Sequence, residues 1–226
     1  MAEKWDLARD ELDDYAFDSH IKAGRALDAG FFADQIVPAS FPSGQLFAVD
    51  QGVRRPPDRE KMRALKPVFK ENGHITAANS SQVSDGAAAL LLASASAVGR
   101  YNLSPLARIA ARVVVGSDPT LMLDGVIPAT QKILKRAALT LDEMDVIEIN
   151  EAFACVPLAW AKEFHPDMAK VNPNGGAIAH GHPLGATGAV LMTKLVYELA
   201  RTNGKYGLQT MCIGHGMATA TVIERV

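Results

Sequence analysis

The sequence predicts an α/β protein, and three observations carry that expectation. Short runs rich in β-branched residues, ARIAARVVVGS and MDVIEIN, read as strands. Longer segments, ATQKILKRAAL and GAVLMTKLVYELAR, place apolar residues at helical spacing. The two kinds alternate along the second half of the chain and close on two strand-like runs split by Gly214-His215-Gly216.

Taken in order, the chain begins with a mostly charged stretch to about residue 70. Here Phe17, Ile21, Gly24 and Leu27 form an apolar or small-residue stripe before Gly30 as a stop. This stretch is expected to decorate the fold rather than build its core. Within it, Arg54, Arg55, Arg59, Lys61, Arg63 and Lys66 cluster around Pro56-Pro57, a basic run whose simplest reading is a solvated loop and helix. ITAANSSQVSDGAAALLLAS then reads as a short strand, a polar turn ending in Asp85-Gly86, and an apolar strand or helix start. After the strand ARIAARVVVGS come Pro119 and a helix, and Thr140-Leu141-Asp142-Glu143 has the form of a capping box opening a short helical turn. MDVIEIN delivers Asn150 at its C-terminal end, and EAFACVPLAWAKEF continues as a helix. VNPNGGAIAHGHPLGATG is glycine-rich and irregular and leaves His182 just before the next helix. The closing YGLQTMCIGHGMATATVIERV puts Cys212 at or near a strand end.

Composition excludes several functions. With 226 residues and 48% hydrophobic content, the chain can bury one large core or two modest ones. A net charge of −2 and a pI near 6.3 give no general attraction to nucleic acid or anionic membrane, so an anionic ligand must be met by a local patch. Two cysteines are too few for a disulfide framework and fit a reducing, cytoplasmic compartment. No apolar run approaches the ~20 residues of a membrane span, and the acidic N-terminal residues lack a signal-peptide core.

A carboxamide, an imidazole and a thiol at element ends are the chemistry that remains. Cys212, close to Gly214 and Gly216, is open to close approach and acts as base or nucleophile only as a thiolate; standing alone it reads more readily as a small buried core residue. Asn150 can cap the helix that follows it. His182, between glycine and proline, reads as functional rather than as a core histidine. Cys155 lies in an apolar helical stretch, so the activated nucleophile that such a set would serve is not expected in this chain. His180-Gly181-His182 and Cys212-Ile213-Gly214-His215 have metal-like spacings but no matching carboxylate or second thiol, and no metal site is expected. Neither GxxxxGK[ST] nor a GxGxxG after a strand is present.

NEAFA, NPNGGAIAHGHPLGATGA and CIGHG before a terminal strand resemble the three C-terminal signature blocks of the thiolase family. ITAANSSQVSDGAAALLLAS resembles the family's return from its loop domain, and the opening residues resemble the loop-domain helix region, so the resemblance covers essentially the whole chain. It implies a fold of two duplicated α/β halves: a partial loop domain at 1–72, a remnant of the N-terminal half at 73–103, and a complete C-terminal half at 104–226. The family's acyl-carrying cysteine would lie in the part not represented here.

By the same resemblance, His182 activates that cysteine and Cys212 shuttles the proton at the substrate α-carbon. Asn150 holds the water of one oxyanion hole, and Gly214 offers a backbone N–H to the other. Arg54 falls near the adenine and phosphates of coenzyme A, with Arg55 the neighbouring alternative. Ser81 meets the pantetheine arm, while Phe69, Ala77, Ala152 and Phe153 line the tunnel. Coenzyme A and acyl-CoA are implied as substrates, with no permanently bound cofactor. The activity implied is reversible thiolysis of a 3-ketoacyl-CoA, with a homo-oligomer or partner chain completing the fold; the alternative is a non-catalytic acyl-CoA binding module. Ketoacyl synthases are the nearest competitor, but a second cysteine at 212 and the NEAF block favour thiolase. One departure stands out, since the family's usual CxGGG is here Cys212-Ile213-Gly214-His215-Gly216. His215 could tune Cys212, shape the acyl pocket, or be an innocent surface change.

Overall fold

The computed structural model describes all 226 residues. The first part of the chain holds helix α1 (Arg9–Asp28), a two-residue hairpin of β1 (Ala39–Ser40) and β2 (Leu46–Phe47), and the short helices α2 (Arg59–Arg63) and α3 (Ala95–Tyr101). Alternation follows: β3 (Ala107–Gly116), α4 (Val126–Ala137), β4 (Val146–Ile149), α5 (Cys155–Phe164), α6 (Ala177–His180), α7 (Thr187–Thr202), β5 (Tyr206–Ile213) and β6 (Met217–Arg225). Four strands form one sheet in the order β3-β6-β5-β4. β6 runs antiparallel to both β3 and β5, while β4 lies parallel to β5, so the sheet is mixed and the α/β class holds.

Period-two alternation divides the sheet between two layers of helix. Ile147 and Ile149 of β4 face the larger core, where Trp160 of α5 and Ile133 of α4 are fully buried. Val146 faces the other way and packs with Leu195 and Leu199 of α7. Glu148 shares that second face, so it carries its own counter-ion, Lys194 of α7, at 2.9 Å. The buried Trp160 indole N–H donates to Thr130 Oγ1 at 2.9 Å, which removes the desolvation cost of the polar tip and ties α5 to α4.

Three sequence expectations need correction. Residues 1–70 do not merely decorate: Leu7, Leu12, Ala16 and Met62 belong to the main core. Of the expected stripe only Gly24 is buried and Ile21 is exposed; the rest of the buried face of α1 includes Leu12, Ala16, Ser19, Ala23 and Ala26. Small side chains win that face because α1 rests directly on the glycine-rich loop, where a Cβ at Gly175 would come 2.5 Å from the Ser19 carbonyl oxygen. Residues 75–94 form neither a strand nor a helix, apart from an isolated antiparallel bridge of Ser80 with Phe153. The Thr140–Glu143 bond of a capping box does form, at 2.7 Å, but it opens only a turn, because β4 begins three residues later. No helix is long and apolar enough to cross a membrane.

Candidate active site

Two strand ends and the glycine-rich loop meet at one end of the sheet and bring Asn150, Cys212 and His182 together. Asn150 follows the last residue of β4 and is held by its own N–H, which donates to Thr210 O of β5 at 3.0 Å. Cys212 lies two residues further along β5, buried, with Asn150 among the groups that act on its thiol. On its other side the Asn150 Nδ2 lies 3.4 Å from His182 Nε2. The fully buried Asn150 Oδ1 has no hydrogen-bond partner in the protein, so it presents an acceptor that a bound water or ligand donor would satisfy.

The proton state of His182 follows from its second nitrogen. Thr187 Oγ1 has one hydrogen, which it donates to Pro183 O at 2.9 Å. It can therefore only accept from His182 Nδ1, 2.7 Å away. That places the ring proton on Nδ1 and leaves the Nε2 lone pair facing Asn150. Burial lowers the His182 pKa, which keeps the ring neutral and basic near pH 7. The Cys212 thiol is pushed up to about 11, chiefly by burial, and so holds its proton in the resting protein. Cys155, at the first residue of α5, is also buried and pushed up to about 11 by the same cause. Neither thiol has the depressed pKa of an activated nucleophile.

At the turn between β5 and β6, the exposed Gly214 N–H donates to no acceptor within the protein. His215 takes up a left-handed backbone there, with φ 67°. A second wall is built by backbone pairing: Ser81 N–H donates to Ala152 O at 3.0 Å, and Ala154 N–H to Asn79 O at 2.9 Å. This lays Ser81 beside Ala152 and Ser80 opposite Phe153, while Ala77 is exposed; Phe69, 74% exposed, stands edge-on to the Phe153 ring at 5.8 Å.

Comparison with known proteins decides what this arrangement belongs to. The family model for the thiolase C-terminal domain matches residues 103–225, and that for the thiolase N-terminal domain matches residues 1–96. The chain belongs to the thiolase family. Steroid 3-ketoacyl-CoA thiolase FadA6 of Mycobacterium tuberculosis is 52% identical over 226 residues, covering 100% of this chain and 55% of the relative. The acetyl-CoA acetyltransferase of Bacillus anthracis superposes with a TM-score of 0.96 at 39% identity, covering 100% of this chain and 58% of that one. The human mitochondrial 3-ketoacyl-CoA thiolase in complex with CoA superposes with a TM-score of 0.93 at 40% identity, again over 100% of this chain and 57% of that one. The chain thus spans a little over half the length of the thiolases it matches.

The remaining ligand residue expected in this thiolase chain, Arg54, stands apart from the others. It lines a cavity of about 630 Å³ with His20, Gly24, Arg25 and Arg55. Arg55 is tied to Asp28 at 3.0 Å, whereas the exposed Arg54 guanidinium makes no ion pair, which distinguishes the two neighbours. Half of the basic run is likewise neutralised: Arg59 pairs with Asp14 and stacks on Phe17, and Lys61 pairs with Asp58. Gln82, next to Ser81, joins the two ligand-side regions. Its Nε2 lies 3.0 Å from Gly52 O and 2.9 Å from Ile178 O, and its carbonyl accepts from His182 N–H.

Sequence reasoning missed the supports of this site. Glu151 is buried and accepts four hydrogen bonds, from Tyr15 Oη (2.9 Å), Ser19 Oγ (2.7 Å), Asn172 Nδ2 (2.9 Å) and Ile178 N (3.2 Å). Burial first, and then the Glu151 charge, holds the Tyr15 hydroxyl well above its ordinary pKa. One carboxylate therefore fixes α1, the end of β4 and the glycine-rich loop to each other. A glutamate directly after the strand-end asparagine was the available signal. Gln82 and Asn172 gave none, because their partners come from distant segments, and Thr187 gave none, because only the folded start of α7 turns it onto His182.

Proposed function

We propose that this chain supplies the proton-transfer and oxyanion half of a thiolase-type acyltransferase, acting in reversible thiolysis of a 3-ketoacyl-CoA and the reverse Claisen condensation. The observation that carries this reading is the meeting of three groups at one end of the sheet: the Asn150 carboxamide, 3.4 Å from the Nε2 lone pair of His182, with the buried Cys212 thiol at the end of the neighbouring strand. In thiolysis His182 Nε2 accepts the proton of an attacking thiol, and its Nδ1–H, held by Thr187, keeps the ring aimed. The protonated Cys212 donates to the departing α-carbon and becomes the base in the condensing direction. Asn150 Oδ1, through a water, and the Gly214 N–H meet the thioester oxygens as charge builds on them; each such preorganised donor is worth ~10²-fold or more in rate.

Coenzyme A and acyl-CoA enter as substrates. Their anionic end is met by Arg54, and their pantetheine arm passes Ser81, Phe69, Ala77, Ala152 and Phe153. The division into 1–72, 73–103 and 104–226 is retained for the loop domain, the remnant of the N-terminal half and the C-terminal half. The nucleophilic cysteine comes from outside these 226 residues, because the two thiols present are both buried and weakly acidic. A second polypeptide that supplies this cysteine follows from that need; a homo-oligomer and a cytoplasmic location remain part of the proposal.

Thiolysis of acetoacetyl-CoA by the 226-residue chain, run beside Cys212→Ala, tests the division of labour. No turnover alone, and Cys212-dependent turnover once a thiolase N-terminal half is added, is the expected result. Cys212-dependent turnover by the chain alone would overturn the missing-nucleophile reading. The lack of an activated thiol also favours a second reading, a non-catalytic acyl-CoA binding module; CoA affinity without turnover in any assembly would select it.

A further inference from the structure

His180 entered the sequence reading only as part of an HxH spacing, and catalysis makes no use of it. Its ring is almost fully covered, with the edge of Phe32 at 5.2 Å. Nδ1 lies 3.1 Å from Asp50 Oδ2 and Nε2 lies 2.9 Å from Asn174 O. Both partners are acceptors, a carboxylate and a main-chain carbonyl. A neutral imidazole has only one N–H and would turn a lone pair toward one of them, so this geometry calls for a proton on each nitrogen. Four residues along the same loop, Arg54 N–H donates to His20 Nδ1 at 3.1 Å, which requires the opposite state, a bare Nδ1.

We propose that His180 as a charged donor and His20 as a neutral acceptor are positioning residues that clasp the segment from Asp50 to Arg54 onto the glycine-rich loop, holding Arg54 and His182 in one register. The surroundings support different charge states for the two rings, His180 charged and His20 neutral. His180 faces the carboxylates of Asp50 on the clasped segment and Glu148 on β4, the latter paired with Lys194 of α7, and it faces His20 on α1. His20 is surrounded by Glu151, Arg54 and His180, and burial, the dominant influence, lowers its pKa to about 4. Gln82 makes a third link, through Gly52 O, that no change of pH removes, so opening the clasp loosens the segment without releasing it. The His20 side of the clasp is sensitive to acid, which protonates His20 and expels the Arg54 N–H. The consequence for coenzyme A contact rests on the proposed role of Arg54, but the clasp itself does not.

Two measurements on the purified chain, in whatever assembly it forms, test this without coenzyme A or turnover. In long-range ¹H–¹⁵N spectra at pH 7, His180 is expected to show both ring nitrogens in the protonated range and His20 one protonated and one bare. A bare nitrogen on His180 overturns the proposal. Hydrogen exchange is then compared at pH 7 for Asp50→Ala, a change at an exposed side chain that leaves the core untouched. Peptides spanning residues 48–57 should exchange on the order of tenfold faster, with β5 and β6 unchanged. Asp50→Asn, which keeps an acceptor but loses the charge, should restore part of the protection, a graded response that loss of bulk alone does not give. Equal exchange in wild type and Asp50→Ala rejects the clasp.

Discussion

Residues 83–94, VSDGAAALLLAS, and β5, YGLQTMCI, are both small and apolar, yet they fold in opposite ways. β5 lies between β4 and β6 with helices on both faces, and Leu208 is fully buried. In the other stretch there is no regular structure, and Leu91 and Leu92 are 84% and 75% exposed. Hydrophobicity alone therefore does not define a strand; a neighbour that supplies hydrogen bonds and contact surface does.

The largest effect expected from this contrast is on stability. Leu208→Ala should cost about 3 kcal/mol, by lost burial and the cavity left behind, whereas Leu91→Ala should stay within about 0.5 kcal/mol. Urea unfolding of the two variants measures both, and comparable losses would mean that residues 83–94 are packed in solution.

Acid should weaken the packed region through His20. Its folded-state pKa of about 4 lies below the ordinary value of 6.5, so the unfolded chain binds the proton first. The stabilisation is complete above pH 6.5 and fades as pH falls to 4, a loss of about 3 kcal/mol. In urea melts at pH 7 and 4.5, His20→Gln should lose markedly less stability than wild type over that interval. Parallel losses would assign the acid sensitivity to other groups.

A smaller effect is expected where the packed region holds the site. Thr187→Val keeps the shape but removes the acceptor of His182 Nδ1–H, and thiolysis in an assembled enzyme should fall by about tenfold or more in kcat with little change in KM. An unchanged kcat would show that the tautomer is fixed by something else. The smallest effect is assigned to the hairpin turn. His215→Gly should relieve the left-handed backbone and gain about 0.5–1 kcal/mol of stability. If the imidazole is an innocent surface group, thiolysis should stay within about threefold.

The same contrast explains what could be read from the sequence. Elements that bury their pattern against chain neighbours were legible: the strands β3 to β6, the helices α4, α5 and α7, and the placing of Asn150 and Cys212 at strand ends and of His182 ahead of α7. Hydrophobic period and turn residues set these locally. The face of α1 was misread because it packs on glycine rather than on side chains, so small residues outrank Phe17 and Ile21. Residues 75–94 were misread because an apolar run was taken as a sign of pairing. Within the site the reacting groups were legible, since few residue types do that chemistry, but Gln82, His180 and Glu151 gain their meaning from partners tens of residues away, and Thr187 from the turn that folds it back onto His182.

The four-donor cradle of Glu151 also limits how this chain can be altered. A Cβ at Gly176 would come 2.2 Å from the Glu151 carboxyl carbon, so even alanine cannot stand there while the glutamate remains. Shortening Glu151 makes the room but strands the Tyr15 and Ser19 hydroxyls and the Ile178 amide without an acceptor. Positions 151 and 176 thus behave as one two-letter word: each single misspelling is costly, and a library that varies them one at a time would conclude that neither can change, missing every viable pair.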